Sequence, residues 1–254
     1  MKNLVFFDID GTLATGKNVP ESAEKALELL RAGGNLVFIC TGRNPEYVKT
    51  NFGKYADGFI CSNGRYAFMG ERVLYSAPLS KEQVRDLADR IDSVDGGCLF
   101  FGLEEGFYCG NPDGFETMVR VQNTGSVKNG FDPDMLVYTF DAYLGTPDRI
   151  HIIQKALDPV ALANPHGPHP SADITVYGVD KGTALRHVAQ ELDVSMDHTY
   201  AFGDGKNDIC MLEAAGHGVA MGNALPEVKA IAEHVTTPIN EDGVYNGLKH
   251  YGLI

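Results

Sequence analysis

Two aspartates follow the first apolar run of the chain. The segment FFDIDGTLATG, residues 6–16, places Asp8 and Asp10 two positions apart where the run Leu4–Phe7 ends. If the strand continued through them, both side chains would point to one face, with alpha carbons roughly 6 to 7 Å apart. Two such carboxylates repel each other unless they share a cation, and oxygen ligands of this kind suit Mg²⁺. The pair indicates either a divalent-metal site or an ordinary polar turn.

A candidate anion site follows the second apolar run. Thr41, Gly42 and Arg43 come directly after Leu36–Cys40, and Pro45 suits the first position of a helix. Backbone N–H groups at a helix start, together with a hydroxyl and a guanidinium, bind phosphate-like anions. Taken singly, these residues are equally common in loops.

A lysine lies at the start of a later helix. Lys181 follows Asp180, a predicted N-cap, in the segment GVDKGTALRHVAQEL. A positive charge in the first turn opposes the helix dipole by about 0.3–1 kcal/mol, which disfavours a purely surface role. The side chain is therefore predicted to meet an anion, with exposure to solvent as the alternative.

The densest polar motif is AFGDGKNDICML, residues 201–212. An apolar strand runs into Asp204, Asn207 and Asp208 and then directly into a helix, so three oxygen-bearing side chains are predicted to cluster at the carboxyl end of a strand. Ordinary turns also use Gly, Asp and Asn. Because the first acidic strand end belongs to the same predicted sheet, we favour a metal-binding site here.

Apolar runs alternate with helical patterns at both ends of the chain, which predicts an α/β fold with a Rossmann-like parallel sheet and helices on both faces. In such sheets ligands bind at the carboxyl ends of the strands. The predicted elements are strands at Leu4–Phe7, Leu36–Cys40, Thr199–Phe202 and Gly218–Met221, and helices at Pro20–Gly33, Thr183–Leu192, Asp208–Ala215 and Glu227–Glu233.

The middle of the chain has a different pattern of predicted elements. Cys61–Leu79 predicts strands joined by a turn at Gly70-Glu71, and Ser80–Val94 predicts an amphipathic helix capped by Ser80. A hairpin is predicted about residues 104–106, and a surface loop for the second half of the proline-rich segment 156–173. Residues 80–179 are therefore predicted to form an α+β domain inserted between core segments 1–79 and 180–254.

Composition limits the partners. The 254 residues carry a formal net charge of −13, so we expect neither nucleic acid nor an anionic membrane as a partner, and an anionic substrate must be held by local cations or a metal. Five cysteines without C-x-x-C spacing suggest small core residues in a reducing cytosol. The first apolar run is too short for a signal peptide, and no later one suits a membrane span, so a cytoplasmic protein is expected.

Jointly, the four polar segments resemble the motifs of the haloacid dehalogenase-like (HAD) hydrolase superfamily, in particular its Cof-type phosphatases with a large α/β cap. The resemblance covers nearly the whole chain and implies that the inserted domain is the cap. The similar segments are, in order, DIDGT (8–12), TGR (41–43), Lys181 with Gly182, and GDGKND (203–208); MGNA (221–224) and NEDGV (240–244) are also typical.

The resemblance implies a covalent mechanism with Mg²⁺ as cofactor. Asp8 would be the nucleophile that forms an aspartyl-phosphate, and its other oxygen would bind the metal. Asp10 would protonate the leaving alkoxide and then deprotonate the attacking water, while its backbone carbonyl ligates the metal. Asp204 would be a further metal ligand.

The resemblance also implies how the phosphate is held. Thr41 and the Gly42 amide would bind the phosphoryl oxygens, with Arg43 nearby, and Lys181 would neutralise charge on the phosphoryl group and on Asp8. The motif GDGKND would add support through its last two residues, Asn207 for the phosphate and Asp208 for the metal-bound water.

The resulting prediction is a Mg²⁺-dependent phosphatase of small phosphorylated metabolites, sugar phosphates above all, that acts as a monomer or weak homodimer. One alternative is a phosphomutase on the same scaffold. Another is a non-enzymatic phospho-acceptor module, although such receivers are about half this length and lack an aspartate two residues after the nucleophile. The cap residues that would select the substrate follow no pattern that the sequence reveals.

Overall fold

The computed structural model describes residues 2–122 and 126–254, without the side chains of residues 120–122. The strands are β1 (Leu4–Phe7), β2 (Leu36–Cys40), β3 (Gly58–Cys61), β4 (Tyr66–Met69), β5 (Arg72–Ser76), β6 (Gly97–Phe101), β7 (Gly106–Gly110), β8 (Val127–Asn129), β9 (Thr139–Tyr143), β10 (Ala161–Pro165), β11 (Ser171–Val176), β12 (Thr199–Gly203), β13 (His217–Ala220) and β14 (His234–Val235). The helices are α1 (Glu21–Ala32), α2 (Pro45–Phe52), α3 (Lys81–Asp92), α4 (Gly114–Gln122), α5 (Ile150–Leu157), α6 (Lys181–Glu191), α7 (Ile209–Ala214), α8 (Pro226–Ile231) and α9 (Gly243–His250).

Two compact units divide these elements between them. The larger unit comprises the chain as far as Arg43, Tyr47–Ser76 and Val179–Ile254, and the smaller comprises Ala77–Gly178 together with Asn44–Glu46. No helix in the described part of the chain is both long enough and apolar enough to cross a bilayer.

The larger unit contains an eight-stranded sheet in the order β14-β13-β12-β1-β2-β3-β4-β5. The strands from β14 to β3 run parallel, as predicted, whereas β4 and β5 are antiparallel additions at one edge. Every residue of β1 and β12 is buried, so both faces of the sheet centre are covered, which agrees with the predicted α/β fold. Aromatic contacts fill this core: the rings of Phe7 and Phe202 stack at 4.9 Å, and those of Phe6 and Phe38 lie 5.3 Å apart.

The smaller unit contains a six-stranded sheet in the order β10-β11-β9-β6-β7-β8. The predicted hairpin is confirmed, since β6 and β7 pair antiparallel on either side of residues 102–105. Alternate residues of β6 face opposite ways: Cys98 and Phe100 join a cluster with Phe140, whereas Leu99 and Phe101 join one with Tyr108. The unit is therefore an α+β sheet with an apolar cluster on each face.

The prediction of a surface loop in the second half of segment 156–173 is wrong in part. Residues 161–165 and 171–176 form an antiparallel pair, β10 and β11, and only residues 166–170 connect them. Prolines obscured the pair in the sequence, but Pro165 is tolerated because it ends β10, an edge strand of the sheet.

The outer side of β10 is occupied by a side chain. The Oε1 of Gln154, on helix α5, accepts a hydrogen bond from the Ala163 N–H at 2.9 Å, and its Nε2 donates one to the Ala161 carbonyl at 3.1 Å. His166 N donates inward to Ser171 O, and inward and outward residues alternate along a strand, so the backbone nitrogen of Pro165 points outward. Proline has no N–H, so this position offers no free donor. This edge is thus closed along most of its length.

Helix α3 begins with the predicted cap. Ser80 Oγ accepts from Gln83 N at 3.2 Å, and the Gln83 side chain accepts from Ser80 N at 2.9 Å, which together form a capping box. Replacing Ser80 by alanine should lower the free energy of unfolding by about 1 kcal/mol, whereas Ser80→Asp should retain most of it, since aspartate also caps. Urea unfolding of the purified variants measures the difference.

The matched control is Ser93→Ala at the other end of the same helix. Its hydroxyl donates to the Arg90 carbonyl at 2.7 Å and caps no N–H group. We expect a change within about 0.5 kcal/mol for Ser93→Ala. An equal loss from both serines would contradict the capping role of Ser80.

Candidate active site

Two neighbouring strands of the large sheet end side by side. β1 and β12 are parallel and in register from Leu4 with Thr199 to Phe7 with Phe202. The backbone continues this pairing for one step, because Asp8 N donates to Phe202 O at 3.0 Å. The polar residues that follow β1 and β12 therefore emerge at the same edge of the sheet.

Lys181 connects these strand ends. Its Nζ lies 2.6 Å from Asp8 Oδ1 and 2.6 Å from Asp208 Oδ1, and its side chain is only 1% exposed. The solvent-exposed alternative for Lys181 is therefore wrong, and the anions that it contacts are two carboxylates of the chain, whereas its role toward a phosphate stays a prediction. The lysine projects from the first residue of α6, whose N-cap Asp180 accepts from Thr183 N at 2.7 Å.

Asp208 is fully engaged in holding this arrangement. While its Oδ1 accepts from Lys181, its Oδ2 accepts from the backbone N–H groups of Asp204 and Gly205, each at 3.0 Å. The carboxylate thereby fixes both the lysine and the turn that carries Asp204. It acts as a brace between α6 and the loop after β12.

Asp204 packs directly on the turn that follows Asp10. Its Oδ1 accepts from Thr12 Oγ1 at 3.2 Å. Gly11 has φ +89°, and a Cβ there would lie 2.3 Å from Asp204 Oδ2. Only glycine allows both the left-handed backbone and this close approach. The glycine of the DIDGT motif is thus required by the position of the Asp204 carboxylate.

The carboxyl groups carry strongly perturbed pKa values. Burial, and then the nearby charge of Asp208, raise the pKa of Asp8 to about 7, although Lys181 opposes the shift. Burial and the charge of Asp208 likewise raise the pKa of Asp204 to about 6. Burial would lower the pKa of Lys181, but the carboxylates of Asp208 and Asp8 outweigh it and hold that pKa well above its usual range. The lysine remains charged and the cluster keeps excess negative charge.

The donor set fits a hard divalent cation. Carboxylate oxygens of Asp8, Asp204 and Asp208 lie within 4.8 Å of one another, with a single lysine to compensate them. Both oxygens of Asp208 already accept hydrogen bonds at 3.0 Å or less, whereas Asp8 Oδ2 accepts none from the described residues and Asp204 accepts only longer ones, at 3.2 and 3.4 Å, so Asp8 and Asp204 are better placed to ligate. Oxygen ligands with this charge match the preference of Mg²⁺ and similar ions.

The carboxylate of Asp10 does not belong to the group of three that lie within 4.8 Å of one another, although its charge helps to raise the pKa of Asp204. β1 ends at Phe7, so strand alternation does not set the direction of the Asp10 side chain, and the expectation that the two aspartates share one face stays a prediction. The Asp10 side chain is half exposed, and its Oδ2 lies 3.3 Å from Arg43 Nη2. The guanidinium of Arg43 in turn lies over the ring of Tyr47, 5.2 Å from its centroid.

The predicted phosphate-binding residues lie at the same edge of the sheet. β2 is parallel to β1, with Phe7 in register with Ile39, and Thr41 follows β2 as a buried residue whose hydroxyl accepts from Arg43 N at 3.2 Å. Helix α2 begins at Pro45, as predicted. Asn207 is exposed in the short 3₁₀ turn of residues 206–208, and its assigned support of the phosphate stays a prediction.

Two residues without a predicted role, Thr12 and Asn223, also lie at the site. Thr12 is fully buried and donates to Asp204, and Asn223 donates to Asp204 Oδ2 at 3.4 Å and to Gly11 O at 2.8 Å. Both belong to motifs quoted above, DIDGT and MGNA. Asn223 follows β13, the neighbour of β12, so its position after another strand of the same sheet was the signal that could have identified it.

Comparison with known proteins finds one family over nearly the whole chain. The model of the haloacid dehalogenase-like hydrolases matches residues 5–248. The phosphatase YwpJ of Bacillus subtilis is 50% identical over 281 residues, covering 97% of this chain and 99% of that protein. The 5-amino-6-(5-phospho-D-ribitylamino)uracil phosphatase YcsE of the same organism is 41% identical over 260 residues, covering 98% and 96%.

A solved structure gives the same picture. A sugar phosphatase of HAD subclass IIB superposes with a TM-score of 0.82 at 31% identity, covering 99% of this chain and 100% of that one. The similarity therefore extends over both compact units rather than over the sheet of the larger unit alone.

The raised carboxyl pKa values predict how metal binding depends on pH. A carboxyl with a raised pKa binds more protons in the folded than in the unfolded state, so its contribution to stability is complete below the ordinary value of 3.8 and is lost as pH rises through about 6 for Asp204 and about 7 for Asp8. A divalent cation binds the ionised form and should reverse the loss. The rise in Tm on adding Mg²⁺ should thus be small near about pH 5 and reach a plateau above about pH 7.

Thermal unfolding with Mg²⁺ or with EDTA across this pH range measures the effect. The matched control is Asp134→Asn, which removes a carboxylate that is 87% exposed, and which should leave the pH profile unchanged. A Mg²⁺-induced shift that is largest at acid pH would contradict the assigned ionisation of Asp8 and Asp204.

Proposed function

Because the chain belongs to the haloacid dehalogenase-like hydrolases and is a phosphatase of that family, we propose that it hydrolyses phosphate monoesters of small metabolites with Mg²⁺, through an aspartyl-phosphate on Asp8. The observation that carries the proposal is the buried pairing of Asp8 with Lys181, 2.6 Å apart, beside a second carboxylate, Asp204. The proposal is supported because these three side chains lie together where β1 and β12 end, and a nucleophile, a cation and metal ligands would have to meet there.

Asp8 is the nucleophile in this proposal. Its Oδ1 is held by Lys181, whereas its Oδ2 accepts no hydrogen bond from the described residues. One carboxylate oxygen attacks phosphorus, the bond from phosphorus to the ester oxygen breaks, and an acyl phosphate forms. The charge of Lys181 favours the ionised form of Asp8, because it opposes the rise in pKa that burial and Asp208 cause. Mg²⁺, when held by Asp8, Asp204 and the Asp10 carbonyl, supplies further positive charge to the phosphoryl oxygens.

The residues after β2 bind the phosphoryl group. The Thr41 hydroxyl and the Gly42 amide donate to its oxygens at the start of α2, where unpaired backbone N–H groups favour an anion. These donors and Lys181 neutralise an anion in a chain whose net charge is −13. Local positive groups thus offset the repulsion between the protein as a whole and its substrate.

Asp10 moves the protons. As the ester bond breaks, its carboxyl gives a proton to the leaving alkoxide, and the resulting carboxylate then takes one from the water that attacks the acyl phosphate. Free phosphate leaves, and both aspartates return to their starting states. The half-exposed Asp10 side chain, paired with Arg43 at 3.3 Å, is accessible to a leaving group in a way that the buried Asp8 is not.

Sugar phosphates and sugar-alcohol phosphates are the proposed substrate class. The structural relative at 31% identity is named as a sugar phosphatase. The sequence relative at 41% identity is named for a substrate whose phosphate is on a ribityl chain. Both names describe a phosphate on a polyhydroxylated carbon chain.

A panel of phosphorylated metabolites, assayed with Mg²⁺ for released phosphate, tests the proposal. We expect the highest kcat/KM for phosphates of sugars or sugar alcohols. Asp8→Asn should lose on the order of 10⁴-fold or more in kcat, since removing a covalent nucleophile costs this much in other enzymes, and should keep the wild-type circular dichroism. Near-normal turnover by Asp8→Asn would refute the nucleophile, and an isomerised sugar phosphate with little free phosphate would show a mutase.

The leaving group distinguishes the role of Asp10. With an alkyl phosphate, Asp10→Asn should lower kcat by roughly 10²–10⁴-fold, the usual worth of general acid–base catalysis. With p-nitrophenyl phosphate the leaving group needs no proton, so a burst of phosphoenzyme formation should persist. Rapid-quench measurements with both esters test this, and an equal loss for the two would contradict an acid role.

A further inference from the structure

One amide side chain ties the acidic turns of the site together. The Nδ2 of Asn223 donates to the Gly11 carbonyl at 2.8 Å and to Asp204 Oδ2 at 3.4 Å, and its Oδ1 accepts from Ile239 N at 2.9 Å. We propose that Asn223 is a positioning residue for divalent-metal binding, which sets the Asp10–Gly11 turn against the Asp204 carboxylate. The inference rests on the proposed function, in which these two elements supply metal ligands.

The chemistry of the three partners fixes the orientation of the amide. Gly11 O and Asp204 Oδ2 are acceptors, so they must face the NH₂ group, whereas the N–H of Ile239 must face the carbonyl oxygen. A flipped amide would set its oxygen against two other oxygens. Asn223 is therefore held in one arrangement.

The loop that carries Asn223 is anchored on both sides. Leu225 N donates to the backbone oxygen of Asp204 at 3.1 Å, and Gly222 N donates to Thr237 O at 3.1 Å. The backbone thus fixes the Asn223 loop relative to β12 and to residues 237–239. Among the hydrogen bonds of the described residues 222–225, the one from the Asn223 side chain to Gly11 O connects this loop to the turn after β1.

The Asn223 amide lies between two groups that would otherwise repel each other. The Gly11 carbonyl and the Asp204 carboxylate are both acceptors, and the backbone of Gly11 is so close to Asp204 that a Cβ would lie 2.3 Å from its Oδ2. Two oxygens that carry negative charge repel each other unless a donor lies between them. The two hydrogens of the Asn223 amide fill this role and hold the turn against Asp204.

The test is the Mg²⁺ affinity of Asn223→Ala without substrate, by isothermal titration calorimetry. We expect a Kd for Mg²⁺ about 10-fold or more above wild type, since losing a partner of a metal ligand costs roughly 10–100-fold. The Mg²⁺ concentration for half-maximal phosphate release should rise in parallel, with kcat largely recovered at saturating Mg²⁺. If the Kd of the variant equals that of wild type, the proposal is wrong.

The matched control is Asn246→Ala. The Nδ2 of Asn246 donates to Thr237 Oγ1 at 2.9 Å and to Glu241 O at 3.1 Å, so it supports the segment on which the Asn223 loop is anchored, with no bond to Gly11 or Asp204. Its Mg²⁺ affinity should match that of wild type, and an equal loss in both variants would assign the effect to the loop and overturn the proposal.

A second variant keeps the test decisive if alanine disturbs folding. Asn223→Ser suits a turn, but its single short donor cannot reach both partners. We expect the same weakened Mg²⁺ binding with urea unfolding in EDTA close to wild type. Wild-type Kd in a folded Asn223→Ser protein would overturn the inference alone, whereas absence of Mg²⁺ binding and phosphate release in the unaltered protein would refute the proposed function.

Discussion

The buried contact of Lys181 with two carboxylates is the constraint on which the site depends. An ammonium group that is 1% exposed is stable only because Asp8 and Asp208 each approach it at 2.6 Å. Removing Lys181 would leave two buried carboxylates without their cation, and breaking a buried ion pair in this way typically costs about 3–5 kcal/mol. The proposed chemistry uses the same three groups. Their contacts are also required by the fold, because none of these charges could be buried without the others.

This contact joins distant parts of the chain. Asp8 and Lys181 are separated by 173 positions, and the smaller compact unit lies between them in the sequence. The parallel sheet brings these residues together, because β1 and β12 are adjacent and end in register. Each strand delivers a polar turn to the same edge, and Gly11 and Asp208 then allow and brace the close approach of those turns.

The sequence predicted those features that depend on a few neighbouring residues. The continuous apolar runs of β1 and β2 and the serine cap of α3 were all readable, because burial on both faces and N-capping leave local patterns. The β10–β11 pair was missed because its prolines resemble a loop unless the strand is known to lie at an edge.

The site showed the same division. The motifs indicated which loops carry polar groups, and the comparison with known proteins agrees with the family that they resemble. Side-chain directions were not readable: β1 ends at Phe7, three residues before Asp10, so strand alternation does not set the direction of the Asp10 side chain, which pairs with Arg43. The contacts of Asn223 were equally hidden, because they depend on the order of β12 and β13 in the sheet.

The contacts on the outer side of β10 affect how readily two molecules of the protein could associate through this strand. An exposed strand edge offers unpaired N–H and C=O groups on which a strand from another molecule can add. Here Gln154 occupies the Ala163 donor and the Ala161 acceptor, and Pro165 has no donor to offer. This margin of the six-stranded sheet therefore offers fewer free groups for intermolecular strand addition, and for the aggregation that such pairing starts, than a bare edge would.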